Sequence, residues 1–354
     1  MRTSPALRPA ATVLAVAASL ALGLVALGAG SAVAADTDVT WTVRTASNAL
    51  GADRTGFEYT VDPGGTVDDA MVVANHGTTP LDLAVYAADG YTTDSGGFDL
   101  LVAGEKSHGV GAFVATKADH VTVPAGETVD VPFTVTVPDD ATPGDYAGGL
   151  VTSLQAPDDE AGIDVDRRLG IRVDLHVGGE LAPALAIEDV HVAYSGTLNP
   201  FGSGDATVTY TLHNTGNTAL SAAQAASTSG PFGWLTTSAA AVAAPPELLP
   251  GESWEVTATV PDVTPAFRLT ATATVSPLLT DASGSTTSLA PVVVTAGTWA
   301  VPWTLIALVV LLAAAVVVGL RVLRRRRAQS KEREDARVQE AVADALRERE
   351  VTTH

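Results

Sequence analysis

Apolar and polar residues alternate along most of this chain, and an unbroken apolar run stands near each end. Trp41-Thr42-Val43, Val129-Asp130-Val131, Phe133-Thr134-Val135-Thr136-Val137 and Ala206-Thr207-Val208-Thr209-Tyr210-Thr211-Leu212 all keep a period of two. That period puts one face of an extended segment inside and the other in water. The segments are short, rich in β-branched residues and separated by Gly, Pro, Asn and Asp, which predicts an all-β protein of packed sheets. No helical period intervenes before the second apolar run.

An internal repeat divides the strand-rich part in two. Val72-Val73-Ala74-Asn75-His76-Gly77 leads to Pro80-Leu81-Asp82-Leu83, and Tyr210-Thr211-Leu212-His213-Asn214-Thr215-Gly216-Asn217 leads to Ala219-Leu220. Pro124-Ala125-Gly126-Glu127 opens a strand that closes on Val137-Pro138-Asp139, and Pro250-Gly251-Glu252 opens one that closes on Val260-Pro261-Asp262. His76 and His213 read as occupants of equivalent turns. The expected units are residues 35–180 and 181–298, with the boundary near Gly178-Gly179 and a last strand or short stalk over 284–298.

The two apolar runs set the expected topology. Arg2 and Arg8 precede the first, and Ala32-Val33-Ala34 follows it. A basic start, an apolar middle and an A-x-A exit predict a signal peptide over 1–34, cut after Ala34. The second run, Trp299 to Leu320, contains no charged residue. As a helix it reaches about 33 Å, enough for a bilayer core of about 30 Å. Trp299 and Trp303 stand where interfacial anchors belong, and Arg321, Arg324 and Arg325 begin a basic cluster that places the tail, 321–354, in the cytoplasm. The tail is rich in Ala, Glu and Arg, all helix formers, and its arginines favour anionic lipid headgroups. The expected location is the plasma membrane, crossed once, with residues 35–298 outside.

Composition narrows the chemistry. There is no Cys, which excludes disulfides, thiol nucleophiles, Cys-ligated metals and a Cys-linked lipid. Net charge is −20 and aromatics make up 5%, a poor match to nucleic acid, so no nucleic-acid partner is expected. No H-x-x-x-H pair, G-x-S-x-G elbow or phosphate loop occurs. Asp158-Asp159-Glu160 with Asp164 and Asp166 reads as a solvated acidic loop, and Arg167-Arg168 beside it as surface pairs worth little. The expectation is a non-enzymatic protein without cofactor or metal.

The order of features over 57–151 carries a resemblance. Phe57-Glu58-Tyr59-Thr60-Val61-Asp62-Pro63-Gly64-Gly65 opens it and the strand to Asn75 follows. Then come Val85-Tyr86-Ala87-Ala88-Asp89-Gly90-Tyr91, Gly96-Gly97-Phe98 and the Pro124 turn. Pro143-Gly144-Asp145-Tyr146-Ala147-Gly148-Gly149-Leu150 closes it. This resembles the peptidoglycan-binding domain of the WxL-interacting protein family, in a membrane-anchored member of actinobacterial type. The resemblance covers about residues 40–178. It implies two tandem Ig-like β-sandwiches, one transmembrane helix and a short basic cytoplasmic tail. The chain has no spaced Trp-x-Leu motif of its own, since Gly233-Trp234-Leu235 is an adjacent pair.

The resemblance implies a surface protein that binds peptidoglycan through its first sandwich and bridges membrane and wall. Sugars are held by exposed aromatic planes with polar neighbours, and Tyr91, Asp89, Tyr86, Phe98 and Tyr146 are the candidates, Tyr91 in the most polar setting. Tyr146 is also a candidate corner tyrosine, its hydroxyl bonded back to the main chain. The alternative is a surface scaffold or adhesion subunit that binds another exported protein through a sandwich edge or face.

Overall fold

The computed structural model describes residues 40–158, 163–280 and 284–351. The expected leader, 1–34, lies outside the described residues, as do Asp159 and Glu160 of the acidic loop. Most of the chain is β-strand, followed by one long apolar helix.

Four sheets form. The first runs β1 (Trp41–Thr45), β3 (Thr66–Asn75), β8 (Thr128–Thr136), β6 (Val114–Thr116). The second runs β2 (Phe57–Val61), β10 (Ile163–Val177), β9 (Gly144–Asp158), β4 (Leu81–Thr92), β5 (Phe98–Leu100), with β7 (His120–Val123) also on β4. The third runs β11 (Leu185–Ser195), β12 (Gly204–Asn214), β15 (Ser253–Val263). The fourth runs β14 (Thr237–Ser238), β13 (Ser221–Ser229), β16 (Phe267–Thr280), β17 (Thr286–Ser288), with β18 (Val292–Ala300) also on β16. Among the described residues all pairings are antiparallel except β2 with β10.

The period of two becomes two cores. β2, β3 and β8 turn Phe57, Met71, Val73, Phe133 and Val135 inward, and β9 and β10 meet them with Leu150, Val173 and Leu175. Phe57 and Phe133 pack edge to face, centroids 5.0 Å apart. Trp41, on β1, sends its indole N–H across to Thr152 Oγ1 on β9 at 2.9 Å, which ties one sheet to the other. The second core gathers Val208, Tyr210 and Leu212 of β12 against Leu269, Ala271, Ala273 and Val275 of β16.

The repeat reappears as shared hydrogen bonding. Asn75 Nδ2 donates to Thr79 O and Val123 O, and Asn75 Oδ1 accepts from Gly77 N. Asn214 repeats the set with Thr218 O, Leu248 O and Gly216 N. Each Asn amide also donates to the carbonyl of a turn glutamate, Glu127 or Glu252, at 2.9 Å. Gly126 and Gly251 sit in those turns at φ +70° and +82°, a conformation that favours glycine. Asn75 and Asn214 are therefore the equivalent residues. His76 follows the first while His213 precedes the second on the ladder of β12, so the two histidines occupy different positions.

The other differences from expectation are local. Trp299 belongs to β18, opposite Arg268, and the long helix starts at Trp303. The alternation Val292-Val293-Val294-Thr295 continues as strand to Ala300, and Pro302, with no amide hydrogen to donate, suits the step just before the helix. A four-residue helix, α1 (Val110–Phe113), stands between β5 and β6. The long helix, α2 (Trp303–Val351), is apolar to Leu320 and continues without a break through Arg321, Arg324 and Arg325. It is long and apolar enough to cross a membrane, and none of its apolar window is buried.

Candidate functional site

The five residues expected to hold a ligand do not form one surface. Along β4, Leu81, Leu83 and Val85 face the core, so Asp89 and Tyr91 share that side and Tyr86 and Gly90 share the other. Phe98, opposite Thr92, falls on the side of Tyr86 and Gly90. Two groups result, one on each side of the sheet.

On the outer side, β5 folds back over a glycine-lined strip. Leu100 fills the space a side chain at Gly149 or Gly170 would occupy, and the Phe98 ring does the same above Gly90. Arg172 lies on the Phe98 ring, 4.5 Å from its centroid, and also pairs with Asp174 at 2.8 Å. The Tyr86 hydroxyl is shielded beside Arg168. Phe98 is thus occupied in holding the hairpin to the sheet, and the Tyr86 hydroxyl is buried.

On the core side, Asp89 is occupied as well. Its carboxylate accepts from the backbone N–H groups of His108 (2.6 Å), Gly109 (2.9 Å) and Gly111 (2.8 Å), fixing the loop that enters α1. Tyr146 donates its hydroxyl to Thr142 O at 2.8 Å, four residues back, and packs edge to face on Phe113. Tyr91, on the side of Asp89, is 39% exposed.

Asp89 and Tyr146 nevertheless border a cleft of about 370 Å³ between the two sheet pairs. His108, Asp145, Asn217 and Pro250 complete its walls. Asn217 Nδ2 donates to Pro143 O (2.9 Å) and Glu180 O (3.0 Å), and its Oδ1 accepts from Ala182 N (2.7 Å). Asp145 N donates to Asn217 O at 2.8 Å, and the Asp145 carboxylate takes Ala219 N at 2.9 Å and the His176 ring at 2.7 Å. Nearby, Glu252 accepts from Thr92, and Arg172 reaches Glu247 at 3.2 Å. Asn217 and Asp145 join the walls of the cleft, so the cleft is a joint. Sequence reasoning missed Asn217 and Glu252. The signal was their place in the repeat, since the second copies of the Asn-Gly and Pro-Gly-Glu turns are the ones that grip the first sandwich.

A second unforeseen cluster is buried in the first core. Asp69, with no exposed side-chain area, accepts two hydrogen bonds from Arg54 at 2.7 and 3.0 Å, one from Tyr59 at 2.6 Å and one from Asn48 at 2.6 Å. Burial alone would raise its pKa. The hydrogen bonds from Arg54, Tyr59 and the Ala70 amide outweigh it and hold the carboxyl below its ordinary value. Burial, then the Asp69 hydrogen bond, pushes the Tyr59 phenol far above its usual range. Every acceptor of Asp69 points into protein, so the cluster is structural.

Two sheet edges of the second half differ in protection. β11 carries a bulge between Glu188 and His191, with Asp189 at φ +51°, and β18 lies alongside it. β15 is regular from Ser253 to Val260 and breaks register only at Pro261-Asp262. Over those eight residues its one charged side chain is Glu255. β14, the edge of the facing sheet on that side, is two residues long. Bulges and charges protect an edge from pairing, and β15 has little of either.

Among the described residues no group of His, Asp and Glu is placed to hold a metal ion. Asp166 stands on β10, paired with Gln155 of β9 and not in a loop; it takes the Ser153 hydroxyl and lies 3.9 Å from Arg168. No family model matches the chain, and no curated protein matches it. Among solved structures it is similar to a chaperone–tip adhesin complex of CFA/I fimbriae biogenesis, at 8% identity and TM-score 0.37 over 72% of this chain and 98% of that one. It is similar to the E. coli chaperone DraB at 10% identity and TM-score 0.32, over 72% and 98%. It is also similar to a PapD-like domain of human CEP192 at 15% identity and TM-score 0.25, over 40% and 87%.

Proposed function

We propose that this is an exported, membrane-anchored recognition protein without enzymatic activity, and that it binds another exported protein by strand addition at β15. The observation that carries the reading is the regular, nearly uncharged stretch from Ser253 to Val260 at the edge of its sheet. An edge strand offers unpaired N–H and C=O groups at every second residue, and an extended segment of a partner satisfies them. The inward residues Val256, Ala258 and Val260 are buried, so the strand is anchored in the core on one face. The charge asymmetry of the two apolar runs supports export of the sandwiches, with Arg321 and the arginines after it on the cytoplasmic side. The two sandwiches divide near Gly178-Gly179, and the first is carried on the second by the joint.

A second reading, binding of peptidoglycan by the first sandwich, is favoured by Tyr91, a candidate that stands exposed on the β4–β5 hairpin. One experiment separates the two. The full chain in detergent is incubated with the exported proteins of its own cell and, separately, with purified wall sacculi. The main reading predicts that Thr257→Lys with Thr259→Lys abolishes retention of an exported protein while Tyr91→Ala leaves it intact. Pelleting with sacculi that Tyr91→Ala abolishes, with no loss in the lysine variant, would replace the first reading by the second.

A further inference from the structure

The end of the second sandwich nearest α2 is studded with exposed apolar side chains. Leu198 and Phe201 project from the β11–β12 loop, 90% and 82% exposed, and Phe232 and Trp234 from the β13–β14 loop, 93% and 72% exposed. Phe267 opens β16, and Trp299 nearly closes β18. The ladders put all six at one end. Ser195 pairs with Asp205 and Gly204 with Val263, which brings the β11–β12 loop to the β15–β16 turn. Thr270 lies opposite both Ser229 and Gly297, and Phe267 lies opposite Ala300. The space beside Gly230 is filled by Ala266, and the Phe232 and Trp234 rings stand 6.1 Å apart.

The backbone at this end is strained where it presents these side chains. Six non-glycine residues have positive φ among the described residues, and four are here: Phe232 (+61°), Leu235 (+56°), Asp262 (+55°) and Phe267 (+65°). Such conformations cost energy and persist where surroundings or function hold them. Phe232, Leu235 and Phe267 are exposed, so their side chains are not buried in the core.

What faces these residues follows from chain connectivity. Only Val301-Pro302 separates β18 from the first residue of α2, a link of at most about 11 Å from Ala300 to Trp303. The headgroup layer on one side of a bilayer is about 5–7 Å thick. When α2 spans the membrane, the loops at this end lie at the headgroup boundary whichever way the helix points. Trp and Phe are the side chains that partition into that layer. Arg268, stacked 5.6 Å from the Trp299 centroid, supplies a cation beside it.

We infer that the second sandwich docks on the bilayer it is anchored in, inserting the Phe201, Phe232–Trp234 and Phe267 loops into the lipid headgroup layer. This rests on the membrane-anchored reading and adds a second attachment to it. The first sandwich, at the opposite end of strands 11 residues long, is then held upright about 35 Å from the lipid.

The chain has no cysteine, so a single introduced thiol carries a label without ambiguity. The test uses the full chain in vesicles of equal parts phosphatidylcholine and phosphatidylglycerol. Spin labels are placed at Leu198→Cys and, as a far-end reference in an exposed turn of the first sandwich, at Thr78→Cys. Collisions are measured with lipid-dissolved oxygen and with a water-soluble nickel chelate. The expected result is several-fold greater preference for oxygen at Leu198 than at Thr78, returning to the Thr78 value when Phe232→Ser and Trp234→Ser are added. A chain that stays with the vesicles while its Leu198 label reads as aqueous overturns this inference alone, as does a lipid-exposed label indifferent to the two serines. A chain that does not stay with the vesicles overturns the membrane-anchored reading beneath it.

Discussion

Glu252 holds Thr92 by two hydrogen bonds of 2.7 Å, one from the amide and one from the hydroxyl, across 160 positions of sequence. The same carboxylate accepts Leu249 N in its own turn. A turn that joins two strands in the first repeat becomes, in the second, also a clamp on the neighbouring sandwich.

That clamp and the Asn217 side chain should set the angle between the sandwiches. A hydrogen bond contributes about 0.5–1.5 kcal/mol net, and about 1.5–3 kcal/mol when one partner is charged. Asn217→Ala with Glu252→Ala should therefore loosen the joint while each core stays folded. Small-angle scattering should show a larger and more variable radius of gyration with an unchanged β-sheet spectrum. An unchanged scattering profile would mean that other contacts fix the angle.

Asn75 and Asn214 should be equally costly to remove. Each is buried and satisfies three main-chain groups of its turn. Alanine at either leaves carbonyls at the edge of a core unpaired, a loss of about 1–3 kcal/mol for each such group. Denaturant unfolding should show losses of similar size, Asn75→Ala in the first sandwich and Asn214→Ala in the second. A negligible effect at one position would break the equivalence.

Asp69 should make the first sandwich acid-sensitive. Its pKa is lowered in the folded chain, so its contribution is present above the unfolded value of about 3.9 and is lost as pH falls through the folded one. The gap in melting temperature between the natural chain and Asp69→Asn should be constant near neutrality and shrink below about pH 4. A gap that widens on acidification would contradict the sign of the shift. Arg54→Ala, which removes the partner of a buried carboxylate, should cost about 3–5 kcal/mol.

The fold class was legible because alternation such as that of Phe133–Val137 and Ala206–Leu212 directly encodes one buried face. The repeat was legible because turns need particular residues, Asn to bridge a loop and Gly at positive φ. The occupancy of side chains was not. Asp89 and Phe98 look equally available in the sequence, and only the fold shows one capping a loop with three amides and the other lying under Arg172. Asn217 and Glu252 read as ordinary turn residues because their partners stand far away in sequence. The strand status of Trp299 was masked by the apolar run it opens.

Hydrogen–deuterium exchange on the full chain in lipid, with and without the exported proteins of its own cell, tests the central claim most directly. Free, the outward amides of Ser253–Val260 should exchange far faster than those of β12, which are paired on both sides. With partner present, the β15 amides should become protected while the hairpin around Tyr91 is unchanged. Protection confined to the Tyr91 hairpin, or β15 amides already slow in the free chain, would contradict recognition at this edge.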